Sequence, residues 1–166
     1  MTFIKTTLAP CTERHVRPRR TLVTALVWAF ALAQPLSAQT GPQPRLKTAT
    51  LTIGMHKVVA ELAMTSEQQA TGMMFRREMG VSEGMLFVND DAGVRCFWMR
   101  NTLIPLSIAF IDEEGRIANI AEMQPQSDAS HCSVRPVRYA LEMNKGWYAS
   151  RGIKAGAVVK GGPIGP

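Results

Sequence analysis

Residues 103–123 leave this chain few folding options. The run 103–111 is almost wholly apolar, Asp112-Glu113-Glu114-Gly115 supplies turn formers, and 116–123 is a second strand-forming run. Turn residues held between two such runs predict an antiparallel hairpin. Similar short runs recur on either side. Residues 46–53 and 57–63 alternate apolar and polar around a turn at Gly54-Met55-His56, 85–88 and 95–99 read as short strands, and 138–143 alternates again. Residues 89–93 read as a solvated turn, 124–136 as a long loop rich in Ser, Pro and Gln, and Val158 with Val159 as a last strand. Helix signals are few. Thr65 with Gln68 three residues on makes a capping box followed by helix formers as far as Gly72, and 146–151 reads as one or two helical turns stopped by Gly152. Many short strands with one or two short helices predict a mainly β domain. The expected form is a single small antiparallel β-sandwich or partly closed barrel of jelly-roll type.

Ahead of that domain, residues 14–20 hold four Arg and one His, and residues 21–33 form an uncharged, mostly apolar run ending in small residues. This succession predicts a secretory signal peptide over 1–38 and a periplasmic location. The apolar run is too short to span a bilayer as a stable helix. Both Ala31-Leu32-Ala33 and Leu36-Ser37-Ala38 fit a cleavage site, the second being better placed; an uncleaved N-terminal anchor is the alternative. Cys11 lies upstream of the run and no Cys follows it directly, so a lipid anchor is not expected. Residues 39–48, with two Pro and a Gly, read as a flexible lead-in, 49–161 as one domain and 162–166 as a tail.

The leader also accounts for most of the positive charge. Of 19 basic and 13 acidic residues it holds five and one, so the exported chain keeps 14 and 12, and the net falls from +6 to +2. Nucleic-acid binding is therefore not expected.

Cys96 and Cys132 are the cysteines that survive cleavage. In an oxidising compartment they are expected to form a disulfide, closing a loop of about 36 residues and stabilising the fold by about 3–5 kcal/mol in the chain-entropy model. The alternative is a metal site of Cys96, His131 and Cys132, with Met99 or Met123, whose soft ligands would suit copper or zinc. The other methionines are scattered and read as core filling.

The densest polar and aromatic stretch is Phe97-Trp98-Met99-Arg100-Asn101-Thr102. In an extended chain Trp98, Arg100 and Thr102 share one face. Singly, each is an ordinary half-buried residue. Together a flat aromatic wall, a guanidinium fork, an amide and a hydroxyl suit a carboxylate, a phosphate or a sugar. Arg76, Trp98, Arg100, Asn101, Thr102 and Glu142 are the candidate ligand-binding set, for a small anionic or polar ligand.

These residues also carry a resemblance. Phe97-Trp98-Met99-Arg100-Asn101-Thr102, followed by Ile104-Pro105-Leu106, resembles the signature of the bacterial and archaeal family called domain of unknown function 192, in which Lys is usual at the Arg100 position. Gly72-Met73-Met74-Phe75-Arg76, Gly84-Met85-Leu86-Phe87, Tyr139-Ala140-Leu141-Glu142 and Gly152-Ile153 to Gly156 agree in order. Ser107 and Ala157 stand where the family often has Asp, so a role needing a carboxylate at 107 is in question. The resemblance implies a compact, mainly β, often secreted domain and no established activity.

Catalytic templates are missing from the sequence. There is no Gly-x-Ser-x-Gly elbow, no His-Glu-x-x-His, no phosphate loop and no dinucleotide fingerprint. An envelope hydrolase using His131 or cysteine chemistry is the alternative to a binding or accessory module. No cofactor is expected.

Overall fold

The computed structural model describes residues 41–165; the signal-peptide and cleavage expectations fall on residues outside these. Strand β1 (Thr48–Ile53) turns at Gly54 into β2 (His56–Ala63), and the two pair antiparallel from Thr48↔Glu61 to Ile53↔His56. Gly54 has φ +59°, a conformation that is cheap only without a Cβ. Helix α1 (Ser66–Thr71) starts with the expected capping box: the Gln68 N–H donates to Thr65 Oγ1 at 3.2 Å and the Thr65 N–H to Gln68 Oε1 at 3.1 Å.

From α1 the chain crosses back over the sheet and enters β3 (Glu83–Gly93) parallel to β2, from Val59↔Glu83 to Ala63↔Phe87. Among the described residues this is the one departure from antiparallel pairing in the main sheet. It is possible because the helix and the segment after it are long enough for a crossover, which a tight turn is not. Short β4 (Cys96–Phe97) precedes the hairpin of β5 (Leu106–Ile111) and β6 (Ile117–Met123). Then come β7 (His131–Cys132), β8 (Val137–Asn144), a 3-10 turn over Ala149–Arg151 and β9 (Val159–Lys160).

The main sheet runs β6-β5-β8-β3-β2-β1-β9. Its two ends meet. Arg116 and Val158 form a bridge, the Ile117 N–H donates to Ala157 O at 2.9 Å and the Val159 N–H to Gly115 O at 2.8 Å. Closure at this end makes the expected partly closed barrel, a mixed half-barrel of seven strands. Gly115 is needed there, because a Cβ on it would lie 2.5 Å from Val159 O and its φ is +79°.

Alternation divides the core in two. Leu51, Val58, Leu86, Leu141, Ile117 and Val159 belong to one cluster, which draws on both closing edges and fills the barrel. Met85, Phe87, Ile108, Phe110 and Ala140 point the other way, where Met73, Met99 and Ile104 cover them and Phe97 packs alongside. Central strands β8 and β3 are therefore covered on both faces.

Three local expectations differ from what forms. Residues 95–99 and 103–111 are shorter strands than expected, because the chain turns between them: the Thr102 N–H donates to Met99 O at 3.0 Å and Asn101 takes φ +57°. Asn tolerates that left-handed conformation better than most residues. Trp98, Arg100 and Thr102 consequently do not share a strand face. Residues 89–93 continue β3, with a register shift between Val88 and Gly93. The long loop contains β7, which pairs with β4 as a two-stranded sheet.

In that small sheet Cys96 and Cys132 stand opposite each other and are joined by a disulfide. Replacing both with Ser should cost about 2–4 kcal/mol, read as a lower urea midpoint with a somewhat steeper slope, because the chain without its cross-link unfolds further. The described part of the lead-in is tied to the domain by Gln43, whose Nε2 donates to Gly72 O at 2.9 Å, and by Arg45, which pairs with Glu61 at 2.7 Å. Among the described residues no helix is long and apolar enough to cross a membrane.

Candidate functional site

One cross-strand row on the covered outer face of the sheet reads Glu61, Met85, Glu142, Ile108. Glu142 thus has apolar neighbours on both sides. It is 4% exposed, and its Oε2 has no hydrogen-bond partner. Burial without compensation raises its pKa from the ordinary 4.5 to about 8, so at pH 7 the carboxyl is largely protonated. Such a group is costly to keep in a fold, since an unpaired buried polar atom forfeits about 1–3 kcal/mol. Among the described residues no side chain or backbone group partners that oxygen.

Glu142 opens onto a cavity of about 470 Å³. The crossover supplies one wall: Gln69, held by Nε2 donating to Val88 O at 2.7 Å, and the thioethers of Met73 and Met74. Phe87 of β3 and Phe97 of β4 form an aromatic corner, their rings edge to face at 4.8 Å. Thr102, buried by the turn at Arg100-Asn101, also lines the cavity, while Trp98 stands at the mouth 49% exposed. Arg95 completes it, with a buried Nε that has no acceptor. Two residues that each carry an orphaned polar atom, an acid and a guanidinium, therefore line the same cavity.

Two left-handed residues adjoin lining residues in the chain, Phe75 after Met74 and Asn101 before Thr102. Phe75 has φ +61° and Asn101 φ +57°, and the Phe75 N–H donates to Asn101 O at 2.8 Å. A bulky residue in that region is strained by about 1–3 kcal/mol, a cost that clusters at functional sites. The contact fastens the segment carrying Met73 and Met74 to the turn carrying Thr102.

The sequence candidates separate in space. Trp98, Thr102 and Glu142 meet at the cavity. Arg100 lies outside it, stacked 4.2 Å from the Trp98 ring centroid and donating through Nε to Asp128 Oδ1 at 2.9 Å, with both side chains more than half exposed. Asn101 is exposed in its turn. Arg76 is buried beside a separate cavity of about 340 Å³, its Nη2 2.8 Å from Glu61 Oε2. An anion entering the Glu142 cavity would meet neither of these two guanidinium forks. Exposed ion pairs contribute about 0.2–1 kcal/mol, so Arg100→Ala should shift the melting temperature by no more than about 4 °C, as calorimetry can check.

Sequence reading missed Gln69, Met73, Phe87 and Arg95, whose spacing carries no signal; the parallel crossover gathers them. The alternative metal set of Cys96, His131 and Cys132 has no thiolate to offer once the sulfurs are bonded to each other. Among the described residues no group of three or more His, Cys, Asp or Glu is placed to hold a metal ion. His131 stands opposite Phe97 on the small sheet. Ser107, where the resemblance leads one to look for Asp, donates to Glu122 Oε1 at 2.7 Å and accepts from the Gly146 N–H at 2.8 Å. The neighbouring strand thereby brings a carboxylate to that spot.

Comparison with known proteins adds a family and two structures. The family model DUF192, described as Uncharacterized ACR, matches residues 49–161. A crystal structure of a protein of unknown function from Novosphingobium aromaticivorans DSM 12444 is similar at 38% identity and a TM-score of 0.65, covering 75% of this chain and 94% of that one. A protein from Sinorhizobium meliloti 1021, provisionally described as a transcription regulator, is similar at 32% identity and a TM-score of 0.67, covering 72% of this chain and 97% of that one. No curated protein matches.

Proposed function

From the premise that this chain belongs to the uncharacterised DUF192 family, we propose that it is an exported binding module of the cell envelope whose site is the cavity over Glu142. One observation carries the reading: a 4% exposed carboxyl with an unpartnered oxygen borders a cavity of about 470 Å³. A fold that needed only stability would place Leu or Met there, since the flanking positions on β3 and β5 are Met85 and Ile108. A cavity of this size lined by aromatic and thioether groups with a few convergent polar atoms suits a small polar molecule. The basic, apolar and small-residue succession of residues 14–38, read as a signal peptide, supports an envelope location, and the net charge of +2 over 39–166 gives the description of the Sinorhizobium relative no electrostatic counterpart here.

Native mass spectrometry of protein purified from the periplasmic fraction tests this. The wild type should retain a small-molecule adduct, and Glu142→Leu should lose it while melting no lower. An unliganded wild type that binds nothing from a periplasmic extract would sink the proposal.

A further inference from the structure

We infer that the molecule taken by this cavity is a protonated amine, with Glu142 as its counter-ion and the Phe87, Phe97 and Trp98 rings against its carbon skeleton. This rests on the binding function proposed for the same cavity and names its ligand class. Among the described residues Glu142 has no cation of its own. Arg76 is taken by Glu61 at 2.8 Å, Arg100 by Asp128 at 2.9 Å, and Arg95, which does line the cavity, by Asp91 at 2.7 Å. An ammonium supplies both the missing charge and the missing hydrogen bonds to Oε2. Aromatic faces attract cations, and the site presents three rings beside a buried carboxyl. The orphaned Nε of Arg95 offers a donor to an oxygen carried elsewhere on the same ligand.

Binding then has a proton signature. The carboxyl gives up its proton to solvent as the ammonium arrives, so one proton leaves for each amine bound. The groups around it leave that exchange to Glu142. Met85 and Ile108 flank it, Gln69, Thr71 and Met73 face it from the crossover, and the Cys96 sulfur is in a disulfide. Arg95 is paired with Asp91, the Tyr148 hydroxyl donates to Leu141 O at 2.8 Å with its pKa pushed above the ordinary tyrosine range by burial, and Glu122 lies beyond on β6. Glu61 is two strands away in its own pair with Arg76 and Arg45. Since the Glu142 pKa lies at about 8 in the empty cavity, amine affinity should rise about tenfold from pH 6 to pH 7 and level off above pH 8.

Benzylamine, benzyl alcohol and benzoate give nearly one shape as cation, neutral molecule and anion, and amide shifts at Phe97, Trp98 and Glu142 report occupancy. Benzylamine should bind at pH 7 with the tenfold pH response, benzyl alcohol and benzoate at least tenfold more weakly, and Glu142→Gln should remove the preference for the amine. Equal or tighter binding of benzyl alcohol or benzoate, dependent on Glu142, would overturn the amine while leaving the cavity as the binding site. Benzylamine binding that ignores pH in the wild type overturns it even if Glu142→Gln does not fold. If no probe binds, the amine inference also falls, and the native adduct then decides whether the cavity is a site.

Discussion

Between pH 5 and pH 9 the wild-type fold should lose about 3–5 kcal/mol of stability, and Glu142→Gln should abolish most of that loss. The sign follows from the proton count. In the unfolded chain Glu142 has the ordinary value of 4.5, and in the folded one burial holds it at about 8. Between those values the native state keeps a proton that the unfolded state has released, so stability falls as pH rises, at up to about 1.4 kcal/mol per unit. The stabilising contribution is complete below pH 4.5 and is lost as pH passes through 8. Tyr148, also pushed upward by burial, acts only above the ordinary tyrosine value of 10.0 and leaves this window alone. Urea midpoints at pH 5 to 9, with the slope checked for constancy, measure the effect. A wild-type profile that is level, or that rises with pH, would mean that Glu142 finds a partner in solution.

The same residue marks where sequence reading stops. Residues 138–143 alternate, and alternation predicts a half-buried strand with Glu142 on its polar side. The strand forms, but β8 lies between β5 and β3 with both faces covered, so the polar side is buried too. Nothing in eight residues of β8 reports what will be laid over it. The capping box at Thr65 and the β5–β6 hairpin were legible because each is decided by residues adjacent in the chain. The pairing of Cys96 with Cys132 was legible from their count together with the compartment expected from residues 14–38. The parallel pairing of β2 with β3 was not, because it depends on where the crossover settles, and with it went Gln69, Met73 and Phe87 as cavity walls. Arg100 illustrates the converse: placed by motif beside Trp98, it follows the ring but does not line the cavity, stacking on Trp98 at the left-handed turn of Asn101 and pairing with Asp128 in solvent.

Arg76→Ala should be the most damaging single substitution among the sequence candidates, costing about 3–5 kcal/mol because it strands a buried carboxylate. Arg76 is 7% exposed, and its Nη2 lies 2.8 Å from Glu61 Oε2. Glu61 is also buried, and its remaining partners are the Arg45 Nη1 at 2.7 Å and the Leu46 N–H at 2.8 Å. Arg45 is mostly exposed and can compensate only in part, since its charge is screened by solvent. In a domain of this size the loss corresponds to a melting temperature lower by roughly 10–20 °C. The double variant Glu61→Leu, Arg76→Met should be milder than Arg76→Ala, because removing both charges leaves no unpaired ion and puts apolar volume in its place. Benzylamine binding by whatever fraction of Arg76→Ala remains folded should be unchanged, since Arg76 borders the other cavity. A loss below about 1 kcal/mol would place Glu61 in the solvated, weakly coupled class of ion pairs. Weakened amine binding at full stability would instead join the two cavities into one site across Met73, the side chain they share.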